Sequence, residues 1–502
     1  MESLSPIILT LVTFIPAAGG LLILLIPRRD RDIKLFALVV SILAFVASLH
    51  LPVHMHRELG TFKFEIDKVW ITTPNIHYHM GIDGISVWLV VLTTFLTPLC
   101  GLISWTSIHE RVKEFFILLL ILETALIGVF TSLDLFLFYF FYEATLIPMA
   151  LLIGMYGHGR KVYAAVKFFL FTMIGSMFML AAIIWLYAKT GSFDFAIIQS
   201  AIHNGAVPGF EAASFWLFLG FFVAFAVKVP IFPLHTWLPD AHVEAPTAGS
   251  VLLAGVLLKM GTYGLIRFNV GLFPEQARRN APWIMVLALI GIIYGALVSL
   301  VQPNMKKLIA YSSVSHLGFV VLGIFSFTTA GLNGAVFVML AHGVATGGLF
   351  MLAGILYERR HTYEISEFGG LATTMPKYAT FFLVTVLASV GLPLMSGFIG
   401  EFLVLSGAFQ AKPIYGILAA TGVIWSAGYL LWMYQRVFFG KVTHDVNLTL
   451  PDLNMREKVA LSPIAIAALV MGVAPLIWLS AIDPAVQAAL GLTQLASKVV
   501  GQ

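Results

Sequence analysis

Along the chain, apolar residues come in blocks of about twenty separated by short polar stretches. That is the length a helix needs to cross a bilayer. The blocks are too long, and lack the alternation, for strands to be the spanning elements. They fall near 4–26, 33–51, 84–106, 114–132, 135–156, 163–188, 213–238, 245–266, 281–300, 312–328, 330–356, 378–408, 413–437 and 459–481. The pattern predicts an all-α polytopic membrane protein of fourteen spans. The long irregular pieces are 52–83, 189–212 and 357–377, and no strand is credible in them.

Composition supports the bilayer as solvent. The 502 residues are 59% hydrophobic and 11% charged, with mean hydropathy +0.94, against about 25% charged residues in a soluble protein. The net charge of +4 does not point to nucleic acid, because the basic residues sit in short loops and form no stripe. They orient the bundle instead. With the loop Arg28, Arg29, Arg31, Lys34 placed inside, alternate loops collect Arg111, Lys113, Arg160, Lys161, Lys306, Lys307, Arg359 and Arg360 on the same face. Both termini then lie outside, as an even number of crossings requires. The single cysteine, Cys100, excludes an internal disulfide and a Cys-ligated cluster in this chain. The apolar N-terminus has no basic n-region or evident cleavage site and reads as the first span.

Charged groups inside the spans carry the functional signal. A charge at mid-membrane costs roughly 2.5–3.5 kcal/mol on insertion scales, so such residues face the bundle interior and mark ion or proton paths. Glu143, in FYFFYEATLIPM, has no charged neighbour between Asp134 and Arg160. Glu123, Lys228, Lys259 and His342 lie near span centres, and His316 and Glu401 lie within spans farther from the centre. Each has a plain structural alternative: Lys167 can snorkel to the surface, Glu123 can be a lone protonated carboxyl, and the histidines can be satisfied core residues. Together they form a set of acids and bases that neutralise one another only by converging, which is what proton relay needs.

Two spans are broken. VKVPIFPLHTWLPDAHVEAPT loses backbone donors at Pro230 and Pro233 directly after Lys228. GLPLMSGFIGEF carries Pro393 and several glycines just before Glu401. Broken helices at membrane depth are tolerated only where they are buried in protein or line a wet cavity, and a matched pair in two halves points to an ion pathway. The breaks fall in spans seven and twelve, and an odd shift of five inverts topology. Two inverted five-helix repeats are therefore expected, spans four to eight (114–266) and nine to thirteen (281–437), flanked by spans one to three (1–106) and a C-terminal span (459–502). No GxGxxG follows a strand, GHGRKV at Gly157 to Val162 lacks the third glycine, and no Walker lysine motif occurs. His235 with His242, and His54 with His56, lack metal-site context. No cofactor or metal is expected in the chain.

FYEATLIPM, VKVPIFPLHTWLPDAHVEAPT, LLKMGTYGLIRF, YSSVSHLGFV and GFIGEF resemble the subunit M (chain 4) family of NADH–quinone oxidoreductase, respiratory complex I, across essentially the whole chain. The resemblance implies an antiporter-like subunit of the inner-membrane arm that carries protons while other subunits, holding NADH, FMN, iron–sulfur clusters and quinone, do the redox chemistry. It implies that Glu143 is the essential glutamate, Lys228 its paired lysine, Lys259 the central lysine, His316 and His342 polar axis residues and Glu401 the exit-side residue. Glu123 and Lys167 map less directly. Subunits L and N are the implied neighbours, and the implied location is the bacterial cytoplasmic membrane, with periplasmic termini.

The expected mechanism is that a signal along the membrane arm alters the Glu143–Lys228 pairing, and the proton of Lys228 passes through Lys259 and the histidines toward Glu401. A subunit of an Mrp-type Na⁺/H⁺ antiporter, which shares the glutamate–lysine pair, and a non-pumping membrane scaffold are the alternatives.

Overall fold

The computed structural model describes residues 5–27, 29–55 and 62–500. Arg28, His56 and both chain ends lie outside them, so the loop charge at position 28 and the placement of the termini lie there too. Helices dominate. Those used below are α1 (Ser5–Ile23), α2 (Asp30–Ser48), α3 (Ser86–Ile103), α4 (Val112–Thr131), α5 (Leu135–Ala144), α6 (Leu146–Tyr156), α7 (Lys161–Thr190), α8 (Phe210–Lys228) and α9 (Trp237–Glu244). They continue as α10 (Thr247–Val270), α11 (Pro274–Leu300), α12 (Met305–Phe325), α13 (Thr329–Arg360), α14 (Pro376–Val390), α15 (Ser396–Ala411), α16 (Pro413–Phe438), α17 (Met455–Val473) and α18 (Leu476–Val500). Among the described residues eleven helices are long and apolar enough to cross a membrane, or up to twelve with the bent α17–α18 pair. The chain is a multi-pass membrane protein.

Local chemistry sets the helix ends. Asp134 accepts from the backbone N–H groups of Phe136 and Leu137 at the start of α5, Asn304 from Lys307 at the start of α12, and Asn454 and Glu457 form a capping box on α17. Pro274, Pro376 and Pro413 open α11, α14 and α16, where a missing N–H costs nothing. The cation-rich face also satisfies carbonyls at helix ends. Lys113 donates to Leu24 and Ile26 at 2.8 and 2.9 Å, and Lys34 to Trp105 and Ile108 at 2.8 and 3.0 Å. The carbonyl ends of helices are where cations are favoured. Arg359 locks the same face by a bidentate contact to Glu457 at 2.7 and 2.9 Å.

The interior is built on α10 and α13, whose apolar windows are wholly buried, whereas only a third of the windows of α2 and α16 is buried. Glycines allow the closest approaches. A side chain at Gly261 of α10 would meet the Phe225 carbonyl at 2.8 Å and the Val229 N–H at 2.9 Å, so α10 lies directly against the end of α8.

The structure departs from the sequence reading in three places. A hairpin, β1 (Lys63–Ile71) with β2 (Ile76–Ile82), pairs antiparallel, so the chain is not purely α. It lies outside the apolar blocks, turns through Thr72 to Asn75, and needs no membrane-length run. His79 bridges it to the rest of the fold, 2.5 Å from Asp194 and 2.8 Å from Glu65. These carboxylates hold its imidazole above the usual range, at about 9, against the opposing effect of burial. Second, the helix of the last apolar block ends at Val473, before Pro475, and the chain bends 66° into α18. Trp478 of α18 packs on Trp88 and Phe337. Third, Lys306, read as a loop charge, is buried and donates to the carbonyls of Ala245 and Val243.

Candidate functional site

Both expected breaks are present. α8 stops at Lys228, and the chain turns through Val229 to Thr236 before α9. The Trp237 indole N–H bonds the Val227 carbonyl at 2.8 Å and ties the two halves together. α14 ends at Gly391, whose φ of +81° is a conformation that favours glycine, and Pro393 lies in the turn before α15.

A third irregularity is one the letters did not reveal. α10 carries two π-helical stretches, Leu253–Leu257 and Leu265–Val270, flanking the α-helical turn that holds Lys259. Such bulges free or redirect backbone carbonyls and recur at functional sites. Here the Lys259 ammonium bonds the Ala254 carbonyl inside the first bulge.

From Lys259 a polar row crosses four helices. Its Nζ lies 2.7 Å from His342 Nδ1 on α13. The His342 and His316 rings meet edge-on, 5.8 Å between centroids. His316 Nδ1 on α12 lies 2.9 Å from Glu401 Oε1 on α15. All four residues are at most 5% exposed. A cavity of about 10 Å³ lies among His316, His342, Thr346, Ser389 and Glu401, about the room one water requires. Tyr429 approaches His316 Nε2 at 3.4 Å.

Glu143 and Lys228 form a separate station. Lys228 is fully buried, and its ammonium makes no hydrogen bond among the described residues. It lies over the rings of Tyr142 at 5.1 Å and Phe168 at 5.4 Å, a cation–π contact that partly replaces lost hydration. Glu143 Oε1 is also without a partner. The expected pair is therefore open: the residues face each other electrostatically but form no ion pair among the described residues. Pro148 follows a minor break in the span at Thr145, between α5 and α6.

The accessory candidates stand apart. Glu123 is buried on α4, beside the Thr97 hydroxyl of α3. Lys167 does not run free to the surface but pairs with Asp240 at 2.6 Å. One interior residue was passed over. His242, weighed in the sequence only for metal binding, is fully buried, stacks on Phe350 at 4.4 Å and leaves both ring nitrogens unpartnered. The only signal for it was a histidine directly after a proline-broken span. Among the described residues no group of three His, Cys, Asp or Glu is placed to hold a metal.

Comparison with known proteins shows the family. Residues 132–426 match the family model of the NADH:quinone oxidoreductase/Mrp antiporter transmembrane region, and residues 32–129 match the amino terminus of NADH–ubiquinone oxidoreductase chain 4. NADH-quinone oxidoreductase subunit M of Rhodobacter capsulatus is 44% identical over 493 residues, 95% of each chain. The chain belongs to the subunit M family of NADH–quinone oxidoreductase. A chain of respiratory complex I from Thermus thermophilus superposes with a TM-score of 0.87 at 34% identity, covering 97% of this chain and 99% of that one. A chain of the Mrp complex from Dietzia superposes with a TM-score of 0.83 at 19% identity, covering 97% and 100%. At that identity the Mrp likeness shows a shared fold. As a subunit M family member, the chain is an antiporter-like membrane subunit of a respiratory complex.

Proposed function

We propose that this chain is a proton-translocating subunit of the complex I membrane arm, coupling redox chemistry in other subunits to proton export. NADH, FMN, iron–sulfur clusters and quinone belong to those other subunits, and antiporter-like subunits L and N are its neighbours. The observation that carries this reading is the buried row from Lys259 through His342 and His316 to Glu401. A lysine and two histidines can each accept and release a proton, and the row ends on a carboxylate beside a broken helix. Glu143 and Lys228 form the switch ahead of it. A proton held on Lys228 passes by water to Lys259 when Glu143 moves away.

The arrangement we favour has fourteen spans, with the shorter apolar helices α1 and α14 counted as crossings, in two inverted repeats over 114–266 and 281–437. The breaks after Lys228 and before Glu401, five spans apart, support it. The basic loops support an inner-membrane orientation with periplasmic termini. The deciding experiment replaces Lys259 by Met in the assembled complex and measures proton uptake into vesicles during NADH oxidation. Uptake should be lost. Wild-type uptake would sink the proposal and leave the scaffold reading. The Mrp reading has less support, because the 44% identity is to subunit M.

A further inference from the structure

A proton on Lys259 has two ways to go. One is the histidine row. The other runs along its own helix toward the hairpin face, where residues 263 and 267 follow at helical spacing on the same side of α10. Tyr263, about one turn on, is 1% exposed. Its hydroxyl donates to the Phe130 carbonyl of α4 at 3.2 Å and accepts from Arg267 Nε at 3.3 Å. Arg267 is held in turn by the carboxylate of Asp83, with side chains only 12% and 11% exposed. Asp83 is fixed by the backbone N–H groups of Ile85 and Ser86, at 3.0 and 2.9 Å. The guanidinium also packs over the Phe62 and Tyr263 rings, at 5.0 and 5.3 Å.

This second way is a dead end by hydrogen-bond polarity. A relay needs groups that accept a proton on one side and release one on the other. The tyrosine proton is committed to a carbonyl, which passes nothing on. The tyrosine oxygen already receives a donor from a guanidinium, which does not deprotonate in proteins. Asp83 offers no open acceptor either, because its Oδ2 is taken by Arg267 and its Oδ1 by the two backbone N–H groups.

We infer that Arg267, held by Asp83 and Tyr263, is a proton seal that closes the hairpin-side end of the Lys259 helix and directs the proton sideways into the histidine row. Arg267 is a positioning residue, since it transfers no proton. The inference rests on the proton-carrying role of Lys259 proposed above.

The test uses the whole complex in liposomes. Arg267→Gln combined with Asp83→Asn removes both charges of the pair and keeps similar volumes and hydrogen-bonding groups. An imposed pH gradient, with the complex at rest, should decay at least tenfold faster than with the wild type. Adding Lys259→Met should restore slow decay, because the leak runs through that amine, and Arg267→Lys, which keeps the charge, should not leak. A double variant that holds the gradient as the wild type does overturns the seal. So does a leak that survives Lys259→Met, which would mean general looseness. If the double variant does not assemble, Arg267→Gln alone gives the same readings. Wild-type pumping by Lys259→Met alone would instead overturn the proton-carrying reading, so the two failures are distinguishable.

Discussion

Replacing Glu143 with Gln removes one charge at nearly constant volume and isolates the coupling to Lys228. The Lys228 ammonium is fully buried, and its nearest charge-compensating contacts are the rings of Tyr142 and Phe168. A neighbouring carboxylate therefore acts on it with little screening by water. At an effective dielectric of about 20, a pair of unit charges closing from about 8 Å to about 4 Å gains roughly 2 kcal/mol. That is close to the ~2.3 kcal/mol needed to move one charge against 100 mV. Opening and closing the pair thus changes the hold of Lys228 on its proton by about the amount one exported proton requires. Without the carboxylate that swing is lost, and a loss of roughly 2 kcal/mol corresponds to a slowing of about 30-fold at 1.4 kcal/mol per tenfold. The assay is acridine-dye quenching in inverted vesicles during NADH oxidation, with NADH oxidation by an artificial acceptor as the measure of assembled complex. Glu143→Asp, which keeps the charge, should retain most of the activity. Normal quenching by an assembled Glu143→Gln complex would refute the argument.

Glu401→Gln keeps an acceptor 2.9 Å from His316 but ends the row on a group that cannot take a proton, so pumping in the same assay should fall by about tenfold or more while assembly is kept. His79 is held protonated up to about 9 by Asp194 and Glu65, with Asp67 adding to the field. Its folded value lies above the unfolded value of about 6.5, so its contribution is complete below pH 6.5 and disappears as pH rises through 9. Discounted for the half-exposed Glu65, it is worth about 1–2 kcal/mol. Amide exchange over β1 and β2 should accelerate from pH 6.5 to 9.5 beyond the intrinsic rate, and this excess should be absent in His79→Gln. Arg359→Met leaves Glu457, 6% exposed, without its bidentate partner. The cost should be about 3 kcal/mol, read as a lower thermal midpoint of the purified complex.

What the sequence made legible follows from cost. Lys228, Lys259, His316, His342 and Glu401 stood out because a charge or an imidazole in an apolar span has to be compensated. The breaks after Lys228 and before Glu401 stood out because proline and glycine interrupt helices visibly. The hairpin was hidden because its strands alternate polar and apolar residues in a loop where only membrane-length runs were sought. The π-helical stretches flanking Lys259 were hidden for a different reason. Leu253–Leu257 reads LAGVL and Leu265–Val270 reads LIRFNV, and neither carries a proline that marks it off from an ordinary helical stretch. His242 was hidden because a histidine near an apparent loop resembles a surface residue until α9 is seen to turn inward.

The two halves of the site differ in a way that bears on how they work. The Lys259–His342 and His316–Glu401 contacts are closed at 2.7 and 2.9 Å, and three of their four helices, α10, α12 and α13, are almost wholly buried. Glu143 and Lys228 lack hydrogen-bond partners at Oε1 and Nζ, and Lys228 sits where α8 ends in a turn without the ladder of a continuous helix. A buried ammonium without a hydrogen bond is costly. Any rearrangement that brings the carboxylate to it is favoured, and any that withdraws the carboxylate favours proton release. The closed half has nothing comparable to gain by moving. In the proposed mechanism, movement therefore belongs to α5 and α8, and the histidine row acts as a fixed conductor whose direction is set by what blocks its alternatives.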